Sequence, residues 1–582
     1  MRWDLSVLYS GFQDPAFKQD MASLKEHIEK TRRILADGGD ALFVLENAVT
    51  ELSALTEKEE KLLNYTYLVL SVEAENEQAA AALDPLLTLQ VDIAQLHYSL
   101  SRFLGGIESL EPLMEKSERL RAHGFFLQEL KEKSAHLMPR EIESWMLRMS
   151  LTGGEAFSQL RDKLEATLTV DLHGDQLPLS AVRAKAYDKD PLVRKTAYEA
   201  EQAAYPKVEL SVAACLNSIK GEARTMAEAR KFDSVLDWTL NESRMDRETL
   251  NALWTAVKEA LPAFRRYLKA KARFLGHADG LPFHDLMAPV GRSSRTFSLP
   301  EAREFLISAL GQFSPEMGEF IGKAFDERWL DVEPRPGKQG GAFCASVHSL
   351  NISRILSNFA SSFSDVSTLA HELGHAWHAR CMEGLPILMT ETPMPLAETA
   401  SIFNETLLNH IVMQTATKEE AFTLLEADLM ESTQTVVDIY GRFLFESEVI
   451  ESRADHSLSV NELKDAMLRA QEASYGDGLS KDVRHPYMWV CKGHYYSPSL
   501  HFYNFPYAFG LLFGKGIFSQ YLKKGKSFVP TYNKLLRSCG SGTVAQVAAS
   551  VGIDVRSVDF WRGSLAVIAA EADRFAGLCE EQ

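Results

Sequence analysis

Apolar residues recur at helical spacing along most of this 582-residue chain. From residue 13 to about 165 the pattern predicts long amphipathic helices, for instance over Leu55–Glu73 and Ala79–Gly105, because apolar positions three and four apart share one helix face. A β-capable interruption follows at 166–175, and helical patterning resumes from about Asp190. We therefore predict a mainly α protein, with an N-terminal helical lobe at 1–190 and a second lobe at 191–582.

Two short segments depart from the helical pattern in the second lobe. Gly340–Ser346 and Ile352–Phe359 are typical of β-strands, and a turn-rich loop precedes them. An exposed strand edge can bind an extended peptide through main-chain hydrogen bonds, so Gly341 and Phe343 are candidate substrate-binding residues. A hairpin that only supports the following helix is the structural alternative. In both cases a small β-sheet lies beside that helix.

The helix that follows carries His371-Glu372-Leu373-Gly374-His375. Two histidines one turn apart lie on one face, roughly 5–6 Å between Cβ atoms, so both imidazoles can reach one metal ion. Asp365 or Ser364 is the expected N-cap of this helix. Gly374 costs about 1 kcal/mol of helix propensity relative to alanine, which predicts a close neighbour at that position.

A catalytic zinc site needs a third protein ligand and leaves the fourth position to water. His378 is on the same helix face, but two further turns bring it roughly 10.5 Å along the axis from His371, nearly in line with the other two rings. A metzincin arrangement is excluded, because it requires glycine at position 378 and histidine at 381, where this chain has His378 and Cys381.

Glu398 is the better candidate for the third ligand. Pro386, Pro393 and Pro395 break the chain after the motif, and helical periodicity then resumes, so a second helix can cross the first. We expect one Zn²⁺ per chain held by His371, His375 and Glu398, with Glu372 holding the attacking water. Glu405 is either a hydrogen-bond partner of a ligand imidazole or a solvated surface acid.

Histidines and tyrosines concentrate between residues 494 and 510. Neutral phenols and imidazoles can donate hydrogen bonds to a developing oxyanion, although an aromatic core segment would show the same composition. Tyr503 and Tyr507 are four residues apart and can share a helix face. The candidates are His501 and Tyr507 as catalytic residues, and His494, Tyr496 and Tyr503 as substrate-binding residues.

The segments around Gly340–Cys344, Ser357–Phe359, Thr368–His378 and Glu398–Ser401 resemble the oligoendopeptidase F family, which is related to thimet oligopeptidase. Trp3–Tyr9, Leu281–Pro289 and Phe502–Gly510 resemble it too, so the similarity spans most of the chain. The resemblance implies a two-lobed helical zinc metallopeptidase whose deep channel admits short unstructured peptides. It implies that Glu372 is the general base, and it leaves His494 and His501 as alternatives for one site histidine. Gly510 stands where some relatives carry tyrosine.

The composition of the chain restricts the classes of partner that it is expected to bind. A net charge of −18 argues against nucleic acid and anionic membranes, and the chain has neither a secretory signal nor an 18-residue apolar run. The six cysteines are scattered without a Cys-x-x-Cys pair, which fits a cytoplasmic enzyme. We therefore expect a cytoplasmic peptidase acting on short peptides, with active-site elements between 335 and 515. A hydrolase of a non-peptide amide and a non-catalytic peptide-binding protein are the alternatives; the oligomeric state is open.

Overall fold

The computed structural model describes residues 1–291 and 296–581 of the chain. The fold is mainly α, as the periodicity of the sequence predicts. The helices are α1 (Pro15–Asp37), α2 (Ala41–Val72), α3 (Glu77–Gly105), α4 (Glu111–Lys116), α5 (Glu118–Ala122), α6 (Gly124–Ser134), α7 (Arg140–Thr152), α8 (Gly154–Thr167), α9 (Leu179–Ala184), α10 (Pro191–Ala204), α11 (Glu209–Ala229), α12 (Val235–Glu242), α13 (Arg247–Phe274), α14 (Leu299–Phe313), α15 (Pro315–Asp326), α16 (Phe363–Cys381), α17 (Met394–Ala397), α18 (Thr399–Met413), α19 (Lys418–Thr433), α20 (Ile439–Ser452), α21 (Val460–Tyr475), α22 (Met488–Cys491), α23 (Phe505–Lys524), α24 (Val529–Ser538), α25 (Val544–Ala549) and α26 (Val558–Glu580).

Two small sheets account for the strands of the described residues. β1 (Thr169–Leu172) and β2 (Asp175–Pro178) form an antiparallel hairpin, with positive φ at His173 and Gly174 in its two-residue turn. The second sheet has the order β3-β5-β4, with β3 (Leu330–Asp331) parallel and β4 (Phe343–Val347) antiparallel to β5 (Ile352–Leu356). The β-capable interruption at 166–175 and the two strand segments predicted from the sequence before the motif helix are therefore confirmed.

The chain divides into two compact units that are interleaved along the sequence. The first unit contains residues 1–137, 295–412 and 520–552, and the second contains 138–294, 413–519 and 553–582. The single boundary at 190 suggested by the sequence is not a junction of these units. Hydrophobic periodicity shows which face of a helix is buried, but it does not show which distant segment covers that face.

Each unit has its own hydrophobic core. In the first unit, buried residues of α1 to α3 pack with the second sheet, and Tyr9, Phe12, Phe17 and Tyr65 form an aromatic group with ring centroids 5.1–6.0 Å apart. In the second unit, α10 and α11 pack with α20, α21 and the segment that ends at Tyr496. Within the described residues, no helix has both the length and the apolar composition of a membrane span.

Candidate metal centre and active site

The candidate site is built on α16, which lies in the first unit and packs on β4 and β5. Its N-cap is Ser362, not Asp365 or Ser364 as the sequence suggested. The Ser362 hydroxyl accepts from the Asp365 amide at 3.1 Å, and Asp365 Oδ2 accepts from the Ser362 amide at 2.7 Å. Asp365 is thus the N3 residue of a capping box. The helix begins less than one turn earlier in the chain than the sequence suggested.

Gly374 allows a second helix to cross α16 closely. A Cβ atom at Gly374 would lie 2.6 Å from Cα of Ser401 and 2.7 Å from the carbonyl oxygen of Ala400, both in α18. Asn404 of the same helix donates to the carbonyl of Ala370 at 3.1 Å. The close neighbour predicted from the cost of a helical glycine is therefore confirmed, and this crossing brings Glu398 beside the motif histidines.

Three potential ligand atoms converge at the crossing. His371 Nε2 lies 3.2 Å from His375 Nε2, and Glu398 Oε2 lies 3.2 Å and 3.4 Å from these two nitrogens. In a tetrahedral zinc site with bonds of about 2.0–2.2 Å, ligand atoms are about 3.3–3.6 Å apart. The spacing therefore fits one zinc ion. Among the described residues, His371, His375 and Glu398 are the group of three whose donor atoms all lie within 4.8 Å of one another.

Two neighbours in α18 orient these side chains. The Ser401 hydroxyl donates to Glu398 Oε2 at 2.7 Å, and Glu405 Oε2 lies 3.5 Å from His371 Nδ1. Burial disfavours the charged imidazolium of His371, but hydrogen bonds and charge from Glu398 and Glu405 outweigh it and raise its pKa to about 10. Of the two sequence alternatives for Glu405, the structure favours the hydrogen-bond partner. Ser401 was missed, because a helical serine carries no distinctive sequence signal.

Glu372 follows the first histidine and is 6% exposed. Burial raises the pKa of its carboxyl, while the neighbouring His371 and His375 act in the opposite direction. A carboxyl group with a raised pKa is a better proton acceptor than a solvated one, as general-base chemistry requires. Glu372 therefore combines burial with a raised pKa.

His378 is separate from the ligand group. It is 5% exposed, and its Nε2 lies 3.2 Å from the carbonyl oxygen of Leu536. Burial, together with the charge of His375, lowers its pKa to about 4, so the ring is neutral. A neutral buried imidazole that donates to a main-chain carbonyl supports the packing of α16 on α24, which agrees with the preference for Glu398 as third ligand.

The two candidate residues near β4 are also in the first unit. Gly341 has φ of 80°, and its carbonyl accepts from Asn358 at 3.0 Å. Phe343 begins β4 and packs against Trp3, with ring centroids 6.4 Å apart. β4 pairs only with β5 among the described strands, although Asn64 donates to the carbonyl of Ser346 at 2.9 Å. The outer edge of β4 is thus partly available for an extended chain.

The histidine and tyrosine candidates lie in the second unit and fall into two groups. The hydroxyls of Tyr507 and Tyr503 are 2.9 Å apart, and the ring of His494 stacks on Tyr503 with centroids 4.9 Å apart. Tyr507 is 37% exposed. Tyr503 precedes α23, so the two tyrosines do not share a helix face as the sequence suggested, although their hydroxyls meet. These three polar side chains reach the surface of their unit.

Tyr496 and His501 are buried instead. Tyr496 is 1% exposed and donates its hydroxyl to the carbonyl of Trp489 at 2.9 Å. His501 is 2% exposed, and its Nδ1 lies 3.4 Å from the ammonium of Lys220. Burial and the charge of Lys220 hold the pKa of His501 well below its usual value. Side chains this deeply packed have no surface to offer a peptide, so the geometry favours His494 over His501.

Comparison with known proteins identifies the family. The sequence profile of Peptidase family M3 matches residues 184–567, which is more than half of the chain. The chain belongs to peptidase family M3. This membership confirms the metallo-oligopeptidase class and the oligoendopeptidase F resemblance that the sequence suggested, and the matched range contains the whole ligand group.

Relatives and solved structures extend the similarity to nearly the full length. An Oligoendopeptidase F homolog of Lactococcus lactis subsp. lactis is 23% identical over 96% of this chain and 94% of its own length. Oligopeptidase PepF of Bacillus subtilis is 22% identical over 95% of this chain and 84% of its own.

Among solved structures, a putative peptidase from Chlamydophila abortus has a TM-score of 0.87 at 22% identity, covering 99% of this chain and 98% of its own. Oligoendopeptidase-F from Enterococcus faecium has a TM-score of 0.71 at 18% identity, covering 97% and 99%. These likenesses show a shared fold.

Proposed function

We propose that this M3 peptidase is a zinc-dependent endopeptidase that hydrolyses short, unstructured oligopeptides. The observation that carries the proposal is the convergence of His371, His375 and Glu398 at 3.2–3.4 Å, with the buried Glu372 next to them in the chain. Two imidazoles and one carboxylate are the donor set of thermolysin-type catalytic zinc sites, which keep one position for water. We propose one zinc ion per chain.

The protein groups have distinct roles in the proposed reaction. A bound zinc would polarise the substrate carbonyl and lower the pKa of a water molecule towards 7. Glu372 accepts a proton from the attacking water and then delivers it to the departing amine. Ser401 and Glu405 hold the Glu398 carboxylate and the His371 ring in position, so that neither has to reorganise during the reaction.

We propose that main-chain groups near β4 bind the substrate. Gly341 precedes β4 and Phe343 begins it, and among the described strands β4 pairs with β5 alone. Main-chain hydrogen bonds to the free edge of such a strand select an extended substrate, whatever its side chains are. A folded protein does not offer a free extended segment, which supports the limitation to short peptides. The cytoplasmic location stays a prediction from the sequence.

We further propose that His494, Tyr503 and Tyr507 donate hydrogen bonds to substrate. The exposed phenol of Tyr507 and its partnership with Tyr503 support this role. Tyr496 and His501 are left out of the proposal for direct contact, because each is almost completely buried. Both stabilise the segment that carries the other three.

A ladder of peptides tests the function. Purified protein with measured zinc content is incubated with quenched peptides of increasing length and with a folded protein that contains the same sequence, and the products are identified by mass spectrometry. We expect one zinc per chain and cleavage inside short peptides only. Glu372→Gln should keep zinc and lose activity by about 10²–10⁴-fold, the usual contribution of a general base. Glu383→Gln, at an exposed position after α16, is the matched control.

Three results would contradict the proposal. Undiminished turnover by Glu372→Gln would remove the assignment of the base. Metal-dependent hydrolysis of simple amides without cleavage of any peptide would favour the non-peptide hydrolase, and absence of both metal and cleavage would favour a binding protein.

A further inference from the structure

The second unit contains a cavity of about 290 Å³ that the proposed reaction does not use. Its charged lining residues are Arg183, Arg194, Glu201, Asp438 and Lys492, and its aromatic wall includes His485. We call it the Lys492 cavity. Its volume is just below the range of about 300–1,000 Å³ that is usual for small-molecule sites. A very small ligand would therefore fill it.

One wall of the Lys492 cavity contains a carboxylate oxygen that accepts no hydrogen bond. Glu201 Oε1 accepts from Arg183 at 2.7 Å, from Tyr205 and from His485 Nε2 at 3.2 Å. All three donors use the same oxygen, and in the described part of the chain Glu201 Oε2 receives no hydrogen bond. Burial disfavours the carboxylate, but His485 and Arg183 hold the pKa of Glu201 at about 2, so the group stays ionised.

His485 supplies a second polar atom without a partner. The side chain is 1% exposed, and its Nδ1 has no hydrogen-bond partner within the described residues. Nε2 faces the Glu201 carboxylate, which leaves Nδ1 as the ring nitrogen without a partner. A buried polar atom normally has a hydrogen-bond partner, and here none of the described protein groups provides one.

Lys492 supplies the complementary donor. Arg183 is paired with Glu201, Arg194 with Asp285 at 2.7 Å, and Asp438 with Arg442 at 2.5 Å. Lys492 remains as the lining cation with no ion pair or side-chain hydrogen bond among the described residues. Burial lowers its pKa although Asp438 acts in the opposite direction, so an unpaired ammonium is costly here.

We propose that the Lys492 cavity binds a free apolar α-amino acid. Its carboxylate would pair with the Lys492 ammonium, and its own ammonium would donate to Glu201 Oε2. Its side chain would lie against the apolar part of the lining, which includes Val182, Ala197 and Met488. This ligand satisfies both kinds of unpaired group at once, whereas a simple anion or a simple amine satisfies only one.

Isothermal titration with L-leucine tests this site on the zinc-loaded protein. We expect saturable binding, and at least tenfold weaker binding of 4-methylpentanoate and of isoamylamine, which each lack one charged end. Lys492→Met should weaken L-leucine binding at least tenfold, because the carboxylate loses its partner. Lys481→Met, at an exposed lysine of the same unit, should leave the affinity unchanged.

Further variants locate the bound ligand. Glu398→Ala should bind L-leucine as the parent does, since the cavity does not depend on the metal ligands. Ala186→Leu, which fills part of the cavity from a half-buried position, should weaken binding even if Lys492→Met does not fold. Absence of saturable binding would mean that the cavity holds only water and would overturn the proposal. So would loss of binding in Glu398→Ala, which would place the ligand at the metal centre.

Discussion

At the scale of single residues, the candidate site depends on side chains that hold other side chains. Glu398 follows the short helix α17, at a position where the main chain has left helical geometry, and its carboxylate is fixed by the Ser401 hydroxyl at 2.7 Å. His371 is held by Glu405 on the side of the ring away from the other ligands. Such partners reduce the freedom of a ligand before the metal arrives, which raises affinity.

The assignment of the third ligand leads to a prediction about metal content. Glu398→Ala should lose stoichiometric zinc, because two histidines remain where catalytic sites use three ligands. His378→Ala should keep zinc, since the ring packs near Leu536 and contacts no ligand atom, although it should lower the melting temperature by leaving a cavity. Atomic absorption of the dialysed variants measures their zinc content and so decides between Glu398 and His378 as third ligand. Zinc loss in His378→Ala alone would reverse the assignment.

The exposed phenol of Tyr507 leads to a prediction about rate. Tyr507→Phe keeps the ring and removes the hydroxyl, so kcat should fall by about 10²-fold if this group stabilises the oxyanion, while zinc content stays unchanged. Tyr67→Phe, at a 46% exposed tyrosine of the first unit, is the control and should keep kcat. Equal kcat values for the two variants would leave Tyr507 with a purely structural role.

At the scale of elements, the crossing of α16 and α18 positions the proposed metal ligands. Two ligands come from one helix, and the third comes from the chain immediately before the other helix. Their separation is set by how closely the main chains approach at Gly374, where a Cβ atom would collide with main-chain atoms of Ala400 and Ser401. Backbone cannot move aside as a flexible side chain can, so this contact fixes the distance.

The crossing predicts opposite effects for one substitution at two helical glycines. Gly374→Ala gains helix propensity but forces the helices apart, so it should destabilise by about 1–3 kcal/mol or more and weaken zinc binding. Gly563→Ala in α26 meets no atom within 4 Å and should stabilise by about 0.5–1 kcal/mol. Urea unfolding and zinc titration measure both effects, and a stabilised Gly374→Ala with normal zinc affinity would contradict the close crossing.

At the scale of the whole molecule, the proposed metal should stabilise the folded chain. A ligand that binds only the folded state at 100 times its Kd contributes about 2.7 kcal/mol. The melting temperature measured by calorimetry should therefore fall after treatment with a chelator and recover when zinc is added. The Glu398→Ala protein should show no such shift. A melting temperature that does not change with chelator in the parent protein would contradict the proposed binding of zinc to the folded chain.

The sequence by itself determined the local features. Helical and strand periodicity, the β-capable segment that contains β1 and the one-turn spacing of His371 and His375 arise from neighbouring residues. The helix-propensity cost of Gly374 predicted a close neighbour at that position. The break in the chain before Glu398 even indicated which distant carboxylate would join the histidines. In each case, local stereochemistry is enough to restrict the conformation.

Only the tertiary structure decided which candidates are buried and which segments pack together. Tyr496 and Tyr507 look alike in the sequence, yet one is 1% and the other 37% exposed. In the same way, His501 is buried and His494 is exposed. The two units draw on interleaved segments, and Lys492 is left unpaired because every nearby acid already has a partner. Burial and pairing of this kind depend on contacts between residues far apart in the chain, which local patterns do not encode.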